Sequence, residues 1–182
     1  MPAAFLANPI PFVLYAGEGE RGTLRCHPSR ANAQWQALRD HAGALVVFQG
    51  AESYITPSWY PAKAVDGKVV PTWNFAIVQA PGQARVVEDP AWLLANVSAL
   101  TDQNEGRRQT PWAVSDAPQK FIASQLKGIV GIEIPIAALT GKLKASQNRA
   151  VADRAGVAAG FAADSDVRSL AMRELVKARG GV

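Results

Sequence analysis

The chain has 182 residues, of which 48% are apolar and 19% charged, and carries a net charge of +4. That is the size of one domain, or of one domain with a helical appendage, and it is long enough to bury a core without staples. The charge is too small and too dispersed to argue for a nucleic-acid partner, and no stretch approaches the roughly 20 apolar residues of a membrane span. Cys26 is the single cysteine, which excludes an intramolecular disulfide, argues against a cysteine-based zinc site and suits a reducing cytoplasm. Met1–Ala7 lack the basic and apolar regions of a signal peptide.

Taken in order, residues 10–15 and 23–26 are short apolar-rich runs around Gly17-Glu18-Gly19-Glu20-Arg21-Gly22, which reads as a hairpin. The loop formally matches the GxGxxG dinucleotide fingerprint, but that motif needs a helix directly after the glycines and a strand-like run follows instead. Residues 32–40 form a short helix with Asn32 as its cap. Residues 44–48, 53–56, 73–79 and 83–87 read as strands rich in Val, Ile and aromatics. Between them, residues 61–70 form a loop with an Asp66-Gly67 turn. Asp89-Pro90 opens a helix running to about Asn104, with Trp92, Leu93, Val97 and Leu100 on one face. Residues 118–126 are a further short helix and 128–134 a strand. From Ser146 on the chain turns Ala-rich, and Val167, Leu170, Ala171, Leu175 and Ala178 form a helical stripe. Hairpins first, with helices interspersed and last, predict an α+β fold that is mainly antiparallel β.

Two polar-aromatic segments concentrate binding chemistry. Residues 48–60 bring together Gln49, Ser58, Trp59 and Tyr60, and residues 71–75 bring together Thr72, Trp73 and Asn74. Rings mixed with hydrogen-bonding groups suit a planar polar ligand, although each residue alone also reads as a core aromatic with a satisfied tip. Donor-rich runs at 25–32 (with His27, Arg30 and Asn32) and at 144–149 (with Ser146, Gln147, Asn148 and Arg149) suit an anion, or equally a solvated turn and a helix cap. Neither His27 nor His41 sits in a metal-ligand spacing, no GxSxG elbow is present, and the carboxylates are scattered, so the expectation is no catalytic constellation and no metal.

The ordered motifs His27-Pro-Ser-Arg30-Ala-Asn32, Phe48-Gln49-Gly50, Tyr54-Ile-Thr-Pro-Ser58-Trp59-Tyr60, Pro71-Thr72-Trp73-Asn74, Gln125-Leu-Lys127-Gly128-Ile-Val-Gly131 and Ser146-Gln-Asn-Arg149 resemble the PaiB-like, FMN-binding negative transcriptional regulators across residues 8–180. The resemblance implies an FMN-binding split β-barrel with flanking and C-terminal helices, related to pyridoxamine-phosphate oxidases and working as a cytoplasmic homodimer with flavin at the subunit interface. It implies a barrel domain over 1–145 and a helical segment, 146–182, packed on it. Members usually carry a helix and a first barrel strand ahead of the segment matching Asn8–Phe12, so the expectation is a barrel short of that strand. His27, Arg30 and Asn32 become candidates for the phosphate and ribityl chain, Gln49 and Ser58 for the ribityl chain or ring edge. Trp59, Tyr60 and Trp73 become candidates to border the isoalloxazine, with Thr72 and Asn74 beside it and Ser146, Gln147, Asn148 and Arg149 closing the site. DNA is a further partner of the implied regulator, though no helix-turn-helix signature is present. The rival readings are an FMN-dependent oxidoreductase acting on a small molecule, and a flavin-free dimeric scaffold.

Overall fold

The structure is a computed structural model and describes residues 6–164 and 166–181. The expected shortened N-terminus therefore lies, for residues 1–5, outside the described residues. Contacts group the chain into two units: Met1–Val46 with Ala80–Leu139, and Val47–Gln79 with Thr140–Val182.

The first unit is built on a four-stranded antiparallel sheet of order β1-β2-β6-β5, comprising β1 (Val13–Tyr15), β2 (Thr23–Cys26), β5 (Arg85–Val87) and β6 (Gly131–Pro135). The hairpin read from Gly17–Gly22 forms, with Val13 opposite Arg25 and Tyr15 opposite Thr23. The glycines are turn residues: Gly19 and Gly22 both have positive φ. Across the sheet, Arg25 and Arg85 both stand in register with Glu133 and hold it by hydrogen bonds of 2.8 and 2.7 Å. Helix α1 (Gln34–Asp40) starts where Asn32 Oδ1 accepts the Gln34 N–H at 2.9 Å. Asp89 caps α3 (Pro90–Glu105) by accepting the Trp92 N–H at 2.8 Å, with proline at the first helical position. Helix α4 (Gln119–Leu126) follows. Leu24, Cys26, Trp35, Val130, Ile132 and Ile134 form the core of this unit.

A three-stranded sheet, most of whose residues belong to the second unit, has the order β3-β4-β7, from β3 (Gly43–Ile55), β4 (Thr72–Gln83) and β7 (Thr140–Lys144). Two strands were expected at 44–48 and 53–56; the structure has one, continuous through Gln49-Gly50-Ala51-Glu52. Gly50 suits this stretch as a strand residue: a Cβ there would sit a tight 3.3 Å from Ala76 of β4, so glycine eases close approach here rather than making a turn. Strand β7 carries no β-pattern of its own, since Thr-Gly-Lys-Leu-Lys is poor in β-formers, and its pairing with β4 decides it. The loop after Tyr60 holds a single helical turn, α2 (Lys63–Asp66). Helices α5 (Val151–Asp164) and α6 (Val167–Gly180) pack on each other around Val157, Phe161, Met172 and Val176, all fully buried. No helix of the described residues is long and apolar enough to cross a membrane.

Candidate functional site

The polar residues of the second unit converge because three local devices aim them. The first is the 3-10 turn Pro57–Trp59, which Thr56 opens by accepting the Ser58 N–H; it folds Tyr60 back into the interior, where it is buried. Trp59 anchors the turn, its ring edge-on to Phe161 at 5.1 Å. The second device is strand alternation at the start of β4, which turns Asn74 inward, fully buried, while Trp73 stays exposed and meets the edge of Tyr54 at 6.0 Å. The third is the turn after β7. Gln147 accepts the Ala145 N–H and donates to the Leu143 carbonyl, and Ser146 takes a left-handed backbone with φ 56°, the one such non-glycine among the described residues. Such strain costs about 1–3 kcal/mol and gathers at functional sites.

Together these devices build a cleft of about 240 Å³ lined by Tyr60, Val70, Thr72, Asn74, Lys144, Ser146, Asn148 and Arg149. Asn74 Nδ2 donates to Ser146 Oγ at 3.0 Å with both residues buried, and Lys144 Nζ bonds Thr72 Oγ1. The Arg149 guanidinium lies 4.7 Å over the Tyr60 ring. Neither Lys144 nor Arg149 forms an ion pair with a carboxylate of the described residues. One buried polar atom of the cleft, Asn74 Oδ1, has no hydrogen-bond partner, while the buried Tyr60 hydroxyl has the Arg149 guanidinium as its polar neighbour. Burial pushes the Tyr60 phenol pKa up, the Arg149 charge opposes that rise, and the charge of nearby Asp153 adds to it. A more open hollow of about 450 Å³ runs along Ser58, Trp59, Tyr60, Pro61, Lys63 and Ala64 and shares Tyr60 with the cleft.

Of the expected site residues, the cleft therefore brings together Tyr60, Thr72, Asn74, Ser146, Asn148 and Arg149, with Gln147 bracing the turn beneath them. Ser58 and Trp59 line the open hollow. Gln49 is exposed on β3 and bonds Glu52 at 2.6 Å. His27, Arg30 and Asn32 belong to the first unit and have partners there. Arg30 donates to Glu88 and to the Lys127 and Ile129 carbonyls, and Asn32 opens α1. His27 Nδ1 pairs with Asn96 Nδ2 at 2.9 Å, and burial lowers the imidazole pKa, which favours the neutral ring as acceptor. Lys144 and Val70 were not among the expected site residues; the donor-rich run 144–149 was the signal for Lys144.

The donor set suits a phosphorylated, hydroxyl-rich ligand, and the unpaired acceptor on Asn74 suits a hydroxyl that donates. Comparison with known proteins agrees with that chemistry. Residues 2–138 match the family described as "Putative FMN-binding domain". An uncharacterized protein of Emericella nidulans is 38% identical over 84% of this chain and 73% of its own length. The protease synthase and sporulation protein PAI 2 of Bacillus subtilis is 30% identical over 83% of this chain and 70% of its own. Among solved structures, the FAD and heme binding protein from Mycobacterium smegmatis superposes with a TM-score of 0.53 at 18% identity, over 76% of this chain and 59% of that one. The chain thus spans under two thirds of that solved protein, and the likeness shows the fold. The expected α+β class with mainly antiparallel sheets is what the structure has, among the split-barrel folds that the resemblance implied. With the family match extending over well more than half of its length, this chain belongs to the family of FMN-binding domains, and FMN is the cofactor that family takes.

Proposed function

We propose that the cleft of the second unit holds the ribityl phosphate end of FMN, in a protein that works as a flavin-binding regulator. The observation that carries this reading is the pair of cations without carboxylate partners, Lys144 and Arg149, beside the buried Asn74 Oδ1, which lacks a hydrogen-bond partner. A phosphate dianion answers the first need through charge-assisted hydrogen bonds, and ribityl hydroxyls answer the second. Lys144, Asn148 and Arg149 would hold the phosphate, while Asn74, Ser146 and Tyr60 would face the hydroxyls. When bound, FMN supplies a ring that takes up and releases electrons; the residues of the chain bind and orient it.

At about 240 Å³ the cleft is smaller than the roughly 300–1,000 Å³ of pockets that enclose a whole ligand, so the flat ring needs a further wall. We infer that a second copy of the chain supplies it, with exposed Trp73 and Tyr54 as the aromatic surface on offer. The regulatory role draws support from the sporulation and protease-synthesis name of the Bacillus relative. The cations of α6 lend little to a DNA surface, since Arg168, Arg173 and Lys177 lie against Glu52 and Glu174. The lone cysteine fits a cytoplasmic setting.

Titrating FMN into the purified protein by fluorescence quenching tests the cleft. Arg149→Ala and Lys144→Ala should each weaken binding by roughly 1.5–3 kcal/mol, or about 10- to 150-fold in Kd. Unchanged affinity in both would remove the phosphate from this cleft. Salt-sensitive DNA binding that responds to flavin supports the regulator, whereas flavin reduction by a nicotinamide cofactor with a small-molecule acceptor would replace it with the oxidoreductase.

A further inference from the structure

Two adjacent residues in the first turn of α5 grip the two backbone segments that carry Tyr60 and Arg149. Asp153 is 5% exposed, and its Oδ1 accepts the Ala62 N–H at 3.1 Å, two residues beyond Tyr60. Arg154 Nη1 donates to the backbone carbonyl of Arg149 at 2.9 Å. One side chain thus fixes the strand-to-helix loop on one flank of the cleft, and its neighbour fixes the turn on the other.

A buried carboxylate with a single backbone partner is an expensive way to fasten a loop, because desolvation costs more than one neutral hydrogen bond returns. Its place in the first turn of α5 offsets part of that cost, since free N–H groups at a helix N-terminus favour an anion. A second effect follows from proximity: the Asp153 charge acts on the Tyr60 phenol against that of Arg149. Asp153 thus holds the backbone just after Tyr60, and Arg154 holds the backbone of Arg149, whose guanidinium lies over the Tyr60 ring.

We propose that Asp153 and Arg154 are positioning residues that set the Tyr60–Arg149 pair of the cleft, and through that spacing its affinity for a phosphorylated ligand. The proposal rests on the reading of the cleft given above. A helix placed by the C-terminal segment then acts on ligand binding without touching the ligand.

The test compares FMN affinity of Asp153→Ala, Asp153→Asn and Arg154→Met with that of Arg149→Ala, together with melting temperatures and the ultraviolet titration of Tyr60 read against Tyr60→Phe. Asp153→Ala is expected to raise Kd roughly tenfold, and Asp153→Asn, which keeps an acceptor for the Ala62 N–H, to restore most of it. Arg154→Met, which leaves Asp153 intact, is expected to raise Kd severalfold with the fold retained. Both Asp153 variants should let Tyr60 ionise at lower pH, because the opposing negative charge is gone. Wild-type affinity in Asp153→Ala and Arg154→Met, alongside lost affinity in Arg149→Ala, overturns the positioning role and leaves the cleft reading standing. Equal losses in Asp153→Asn and Asp153→Ala, with Tyr60 titrating as in the wild type, also overturn it. Wild-type affinity in Arg149→Ala and Lys144→Ala as well overturns the cleft reading and this proposal together.

Discussion

Asn74 and Ser146 meet in the interior through a 3.0 Å hydrogen bond although 72 residues separate them, and Ser146 makes it from a left-handed backbone. The bond ties the start of β4 to the turn after β7 and so fixes the floor of the cleft. Replacing Ser146 by Ala leaves the Asn74 amide unpaired and keeps the backbone strain, for an expected loss of about 1–3 kcal/mol. Ser146→Gly also loses the hydroxyl but relieves the left-handed conformation, worth about 1 kcal/mol, and should be the milder variant. Urea denaturation of the two decides the order; a more stable Ser146→Ala would show that φ at this position carries no strain.

Gly160 of α5 lies under the Trp59 indole, where an added Cβ would come within 2.2 Å of the ring. Gly160→Ala must push Trp59 and its 3-10 turn away from Phe161, at a cost of roughly 1–3 kcal/mol or more despite the better helix propensity of alanine. Because Tyr60 follows Trp59 directly, FMN affinity should fall as well. Gly141→Ala on β7, with no atom within 4 Å of the added Cβ, should change stability by under about 0.5 kcal/mol. Thermal melts of the pair measure the contrast.

Glu133 sits between Arg25 and Arg85 with 12% of its side chain exposed. Burial alone would raise its pKa, but the hydrogen bonds and charges of the two arginines outweigh burial and hold it below the ordinary carboxylate value. A depressed folded-state pKa means that its stabilisation is complete above about pH 4.3 and fades as pH falls through the folded value. Glu133→Gln should therefore destabilise the protein by about 1.5–3 kcal/mol at neutral pH, with the gap to wild type closing in acid. Denaturation curves at neutral pH and near pH 3 check this; a gap that stays constant would mean that the carboxylate charge contributes nothing.

Cys26 is 1% exposed in the first unit, and burial pushes its thiol pKa up to about 12. At neutral pH it is a small core hydrophobe with almost no thiolate. Thiol reagents should leave the native protein unlabelled and react fully once it is denatured. Rapid native labelling would place Cys26 at a surface that this packing excludes.

What the sequence determined by itself lies in signals a few residues long. The Gly17–Gly22 turn made the first hairpin, Asp89-Pro90 started α3, and the stripe from Val167 made α6, because turn chemistry, caps and periodicity act between near neighbours. The motifs also carried the family, which residues 2–138 match, and they contain six of the residues that line the cleft. Pairing partners were beyond that reach. Whether Gln49-Gly50 turns or continues a strand depended on Ala76, and whether Thr140–Lys144 forms a strand depended on β4. Arg30 and Arg149 each lie in a donor-rich run of the chain that suits an anion, Arg30 as a phosphate candidate and Arg149 as a residue closing the site. The tertiary structure separated them by surrounding Arg30 with Glu88 and two carbonyls and leaving Arg149 without a carboxylate partner among the described residues. A guanidinium's availability is set by which acceptors the fold brings within hydrogen-bond reach, and those acceptors lie far away in the sequence.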